Sequence, residues 1–374
     1  MRHLVKTHYD LVRKYRPKLL EHVRARVAAT EPREYCRTTP DLVDDGVTRF
    51  LMSIFVDWAS LVLKDKGYPV RRMTPGEIIG CVPADASETM WANLQQEYTA
   101  SYNFITHGEK VFFFAESLVQ RLAQTELNVD VDLLRLPFPC CMFVFDDDVT
   151  RKALYALWGR SPPNDAPITV YMNQFVEGSR RTLGIQTIHG TVEATATMLM
   201  RSLNLAEGTR VEDALRTEWS EHYAHEPAPE GIERSETDAA FYGPGLRFFR
   251  ILANAVLYLN SSHPDLGDII PAPKIVVEGK RPKHERERVA REVAASSVLS
   301  YIPVGARLEP MDASLADDLP GHGGRSLSHR FKVQGHWRDQ AHGPRHTLRR
   351  LIYVEPFWKG PDAAEVLNRP YVVR

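Results

Sequence analysis

The sequence predicts an α+β protein: a helical N-terminal region, then a mainly antiparallel sheet packed with helices, closed by a C-terminal β-hairpin. Three observations carry that prediction. Apolar residues recur at helical spacing through the first third of the chain. At Leu133 the texture changes to short apolar runs bounded by turn residues. Near the C-terminus, two alternating runs flank a Gly/Pro/His loop. The division falls at 130/131, giving a helical region over 1–130 and an α+β domain over 131–374.

Leu4, Leu11, Tyr15, Leu19 and Val23 lie at roughly helical spacing around Pro17, which predicts one or two helices over 1–30. A turn with Pro32 and Pro40 follows. Asp41 is then placed to cap a helix running through Leu63, with Phe50, Ile54, Phe55, Trp58 and Leu61 as its apolar face and Gly67 as its stop. That helix is short and carries Asp57 among its apolar residues, so it reads as no membrane span. MTPGEIIGCVP reads as a loop around a short apolar piece. Residues 86–106 and 109–127 read as two further helices, separated by Gly108.

After Leu133, LLRLPFPCCMFVFDDD reads as a proline-entered buried strand that ends in acids. ITVYMNQF and TLGIQTIHG read as a hairpin joined by EGSR. Residues 191–204 and 210–224 read as helices and 225–240 as acidic loop. YGPGLRF reads as a turn before LRFFRILANAVLYLN, a helix apolar nearly all round and hence a core helix. GKRPKHERERVAREVAASSVLSYI begins as a charged linker and continues as a helix, and 303–328 is a Gly/Pro/Asp-rich connector. The closing stretch 329–360, HRFKVQGHWRDQAHGPRHTLRRLIYVEPFWKG, reads as a strand broken by Gly335, a basic loop, and a second strand stopped by Pro356.

With 374 residues the chain has room for a substantial core, and its apolar (43%) and charged (25%) fractions are those of a globular protein. A net charge of −1 argues against a generic nucleic-acid coat. The first thirty residues and the hairpin are basic, whereas 205–240 and 309–319 are acidic, so any contact with phosphates is local. Cys36, Cys81, Cys140 and Cys141 form no CxxC pair, and the adjacent two point to opposite faces of a strand. A reduced, cytoplasmic protein is expected. Asp10, Glu21 and the early Pro17 favour a surface helix over a transit peptide at the N-terminus.

Common catalytic signatures are missing: GxxxxGK[ST], a strand-borne GxGxxG, GxSxG and HExxH. Asp146, Asp147 and Asp148 have the right oxygens for a divalent cation, but one run cannot supply several convergent ligands, and a solvated strand end with an Asx turn capping the next helix is the plainer reading. HYAHE (222–226) spaces its imidazoles three apart and misplaces the general-base glutamate. His322, His329, His336, His342 and His346 lack a cysteine partner and fit no common zinc spacing. No metal and no cofactor are expected.

The hairpin is where chemistry concentrates. The binding residues it offers are His336, Trp337, Arg338, His342, Arg345, His346, Arg349, Arg350, Tyr353 and Trp358. Aromatic and guanidinium groups interleaved in this way grip single-stranded nucleic acid, and they also make protein-binding hot spots. Two of the histidines with Arg338 or Arg345 have the residue types of a ribonuclease. In the plainest reading, Trp337 and Tyr353 pack inward and the arginines face water.

LPFPCCMFVF with its acids, FFRILANAVLYLNSSHPDL, and VQGHWRDQAHGPRHTLRRLIYVEPFWKG with its Gly335-His336-Trp337 triplet together resemble the landmarks of one family. It is a group of mobile-element proteins from phages, plasmids and their hosts, whose studied member is a type V-A anti-CRISPR protein. The resemblance covers roughly the C-terminal two-thirds. It implies a non-enzymatic binder that recognises a nascent CRISPR effector polypeptide and lowers its expression through loss of the message, with host nucleases doing the cutting. The expectation is therefore an anti-CRISPR-like regulator with a protein partner, RNA as a second partner class, and no membrane. The alternatives are an RNA-binding protein or ribonuclease using the His/Arg loop, and a structural component of a phage or plasmid particle.

Overall fold

The computed structural model describes residues 6–31, 33–156, 167–189, 197–225, 234–273, 284–285, 288, 297–311 and 331–359. Of the one or two helices expected around Pro17 there are two, α1 (His8–Tyr15) and α2 (Pro17–Ala28). Proline opens α2 at a position where its missing N–H costs nothing. Asp41 does not cap the long helix that follows. It closes a capping box with Thr38 around the short α3 (Thr39–Leu42), and Asp44, whose carboxylate accepts from Val47 N at 2.9 Å, caps α4 (Asp45–Asp65). Leu51, Ile54, Phe55, Ala59 and Leu63 of α4 are buried, while Leu61 points outward and is 65% exposed. By length and composition α4 is apolar enough to cross a bilayer; in this fold its buried stripe packs into the N-terminal core and Asp57 pairs with Lys18 at 3.0 Å on its exposed side.

The loop predicted over MTPGEIIGCVP contains α5 (Pro75–Gly80), which a Thr74–Glu77 capping box nucleates; α6 (Ala84–Thr106) follows. The helix predicted over 109–127 is two elements. Val111–Phe114 form a strand, β1, and only Glu116–Leu122 are helical, as α7. VFFF is an unbroken apolar run suited to a strand covered on both faces, and Gly108 and Glu109 turn the chain into it at positive φ. β2 (Cys140–Phe145) and the hairpin β3 (Ile168–Glu177) with β4 (Arg180–His189) stand where predicted, with α8 (Asp148–Ala156) between them.

The helix predicted over 191–204 is instead β5 (Thr197–Asn204), paired along its length with β4. Ladder bonds and the burial of Leu203 override the helical leaning of Leu and Met. After α9 (Val211–His225), α10 (Arg234–Leu259) runs straight through the turn predicted at Gly243-Pro244-Gly245 and takes in the end of the predicted acidic loop. The buried 246–259 segment anchors the helix, and the extension towards its N-terminus proceeds despite Pro244, which removes one ladder bond, and the two glycines beside it. The helix and connector predicted between 280 and 328 lie largely outside the described residues. Short strands close the chain: β6 (Ile302–Val304), β7 (Phe331–Val333), β8 (His336–His342), β9 (Leu348–Val354) and β10 (Phe357–Lys359).

The main sheet has the order β5-β4-β3-β2-β1-β6, antiparallel except that β1 runs parallel to both of its neighbours. The 130/131 division falls between α7 and β2, and β1 from before it is bonded to β2 from after it. Every residue of β2 is buried, and successive side chains serve opposite layers. Cys140, Met142 and Val144 meet the N-terminal helices through Tyr9, Leu51, Tyr98 and Phe104. Cys141, Phe143 and Phe145 meet α7, α8, α10 and the C-terminal hairpin. The protein is thus α+β, with one sheet between two helical layers.

Asp147 caps the next helix as the plainer reading of the acidic run had it, but at 1% exposure it is buried and not solvated. Its carboxylate accepts from Thr150 N (2.7 Å) and Thr150 Oγ1 (2.9 Å), while Asp146 and Asp148 hold Arg151 at 3.0 and 2.9 Å. Among the described residues no set of three His, Cys, Asp or Glu side chains converges as a metal site needs.

Candidate functional site

β8 and β9 pair antiparallel from His336↔Val354 to His342↔Leu348, and the basic loop forms the tip of the hairpin. β8 runs on through Gln340, Ala341 and His342 into the stretch that the sequence reads as the basic loop. Two breaks free this hairpin from the strands either side: Gln334-Gly335 before it and Glu355-Pro356 after it, beyond which β7 and β10 pair on their own.

Gly335 is fixed by close approach. Its N–H donates to Gln124 O (3.1 Å) and its carbonyl accepts from Glu126 N (2.8 Å), while a Cβ there would sit 2.5 Å from Thr125 Oγ1. The segment after α7 therefore grips the hairpin at its base. Arg121, on α7, adds a 3.0 Å ion pair to Glu355.

Directly opposed residues share a face of the pair. Trp337, Leu351 and Tyr353 face inward into the core that α7 and α10 build. The rings of Trp337 and Tyr353 lie 4.9 Å apart, and Tyr353 meets Tyr258 edge-on at 5.6 Å. Thr125 Oγ1 donates to Arg121 O (2.8 Å) and accepts from the Tyr353 hydroxyl (3.2 Å). Burial pushes the Tyr353 hydroxyl well above the ordinary phenol range. Trp337 Nε1 donates to Asn254 Oδ1 at 2.7 Å, and Asn254 Nδ2 donates to Leu122 O and Thr125 O at 2.9 and 3.0 Å. Ser262 N and Oγ each donate to Leu351 O at 2.9 Å.

The ten predicted binding residues therefore separate. Trp337 and Tyr353 are packing groups, as the plainest reading had them. His336, Arg338 and His342 on β8 and Arg350 on β9 share the opposite, outward face; Arg338 and Arg350 are exposed and the two histidines half-buried. Arg345 and His346 stand exposed at the tip, both at positive φ (53° and 56°), which is strained for non-glycine residues. Arg349 is exposed on the inner side, beyond the core, and Trp358 lies half-buried on β10. Asn254 and Thr125 are the residues that sequence reasoning missed. For Asn254 a signal exists: it is an amide inside the apolar run FFRILANAVLYL. His322 and His329, and the side chains of His222 and His225, lie outside the described residues.

No curated protein matches this chain in sequence. Among solved structures, the crystal structure of AcrVA2 is similar at 12% identity and a TM-score of 0.38, over 92% of each chain. The model of the AcrVA2-like family, described as the anti-CRISPR type V subtype A2 family, matches residues 112–360. That span opens within β1 and ends just past β10, so it takes in the sheet, α7 to α10 and the whole hairpin. Matched over well more than half of its length, the chain belongs to the AcrVA2-like family of type V-A anti-CRISPR proteins.

Proposed function

We propose that this protein binds a CRISPR effector polypeptide, while it is being translated, and lowers effector expression through loss of the message. The observation that carries this reading is the family match over 112–360. Membership places the partner within a CRISPR system. The hairpin supports a binding role by its construction: a face anchored in the core by Trp337 and Tyr353, and an opposite face that presents arginines to solvent. In this proposal the chain is a binder and not an enzyme, it acts in the cytoplasm where the effector is made, and host nucleases remove the message.

The test is co-expression with a type V-A effector gene, measuring effector protein and message together. The expected result is a fall in both, dependent on translation of the effector reading frame. Unchanged levels of both overturn the proposal. Loss of message from an untranslated copy of the gene would favour direct action on RNA.

A further inference from the structure

Four arginines, Arg338, Arg345, Arg349 and Arg350, lie within thirteen residues of one another, with three histidines and a single carboxylate, Asp339, over 336–350. Arginines elsewhere in the described structure commonly hold a carboxylate: Arg24, Arg26, Arg151, Arg181, Arg250 and Arg307 each do. Among the described residues no ion pair is formed by any of the four hairpin guanidinium groups. Like charges held close without a counter-charge repel, and an anion brought between them removes that cost.

What lies between the arginines decides which anion. Arg350 stands opposite Gln340, two residues along β8 from Arg338, so the two arginines occupy diagonal positions on the outward face. The same face carries Leu348, 52% exposed, and the half-buried Ile352 and Val354, which stand opposite His342, Arg338 and His336 in turn. Binding single-stranded nucleic acid in the usual way needs aromatic platforms beside the charges. The large aromatic rings of this hairpin, Trp337 and Tyr353, face the other way with their polar atoms already bonded, which leaves the outward face only the half-buried imidazoles of His336 and His342. Aliphatic side chains set among arginines match a protein segment that alternates carboxylates with apolar groups.

We infer that the outward face of the β8–β9 hairpin is a docking surface for an acidic, apolar polypeptide segment, its carboxylates taken by Arg338 and Arg350 and its apolar side chains by Leu348 and Ile352. The inference rests on the proposed function for the identity of the polypeptide and on the hairpin alone for its chemistry.

The test uses the full-length protein and three probes: a synthetic peptide alternating glutamate with leucine, its counterpart with glutamine for glutamate, and a single-stranded polyuridine RNA. The glutamate peptide is expected to bind, more weakly as salt rises, with the glutamine peptide weaker by roughly tenfold or more. Arg338→Gln with Arg350→Gln should remove that preference, and Leu348→Gln should weaken both peptides, with thermal unfolding as the check that the variants are folded. Equal binding of the two peptides, tighter binding of the RNA, or an unchanged preference in the double variant overturns the inference. The co-expression assay keeps the two readings apart. If the wild type spares the effector yet prefers the acidic peptide, the function fails and the surface stands. If the folded double variant still lowers effector protein and message in full, the surface fails and the function stands.

Discussion

Trp337 on β8 and Asn254 on α10 are joined by a 2.7 Å hydrogen bond in which the indole N–H donates to the amide oxygen. The amide's own N–H groups are spent on the carbonyls of Leu122 and Thr125, so one asparagine ties three separate segments together inside an apolar core. Replacing the indole by a smaller ring without a donor strands the oxygen and leaves a void beside it. Trp337→Phe should cost about 1–3 kcal/mol, read as a lower urea midpoint at unchanged slope. Asn254→Leu should cost more, because it releases two backbone carbonyls as well as the indole.

Gly335 predicts a steric result. The added methyl of Gly335→Ala would meet Thr125 Oγ1 at 2.5 Å and Pro356 Cδ at 3.1 Å, at the point where the α7 segment holds the hairpin. A destabilisation of about 1–3 kcal/mol is expected by thermal unfolding. Gly76→Ala is the control: it lies within α5, where a Cβ meets nothing within 4 Å, and should be neutral or mildly stabilising. Equal effects at the two positions would contradict the packing described at the hairpin base.

Much of this was legible before the structure. The proline-entered β2, the β3–β4 hairpin, the apolar α10 and the β8–β9 hairpin each announce themselves through period and punctuation. What escaped did so for identifiable reasons. TMLMRSLN is built of residues at ease in a helix and becomes β5 only because β4 offers it a ladder. VFFF is too short to show any period between two helices. At the hairpin, composition marked ten residues, but which of them face inward depends on Asn254 and Thr125, far away in sequence.

The buried carboxylate of Asp147 gives a pH signature. Burial pushes it up to about 6, against the opposing hydrogen bonds from Thr150. A carboxyl raised in the fold binds its proton more tightly there than in the unfolded chain. Its contribution is therefore fully present below about 4 and is lost as pH rises towards 6. Asp147→Asn keeps an acceptor for the cap and carries no charge. The stability of this variant relative to the parent should improve between pH 4 and pH 7, as measured by urea midpoints; a constant difference would show that burial does not govern this group.

Glu97 on α6, fully enclosed, is held by Arg16 and faces His8 Nε2 at 3.5 Å. Burial alone would raise its carboxyl, but His8 and Arg16 outweigh that and keep it below the ordinary range. Glu97→Leu leaves a nearly enclosed guanidinium without its partner and should cost about 3–5 kcal/mol. Adding Arg16→Met should recover part of the loss, a coupling that a double-mutant cycle on unfolding free energy would show.

The position of β6 bears on how this chain is made. Ile302 to Val304 cover the outer edge of β1, a strand laid down nearly two hundred residues earlier. Until that short stretch has cleared the ribosome, an emerging chain carries four hydrophobic residues with one side of their backbone unpaired, the kind of edge on which unfinished proteins stick to one another. A product that stops before Ile302 would keep that edge open for good. For this protein, premature termination is thus a route to aggregation and not merely to a shorter molecule.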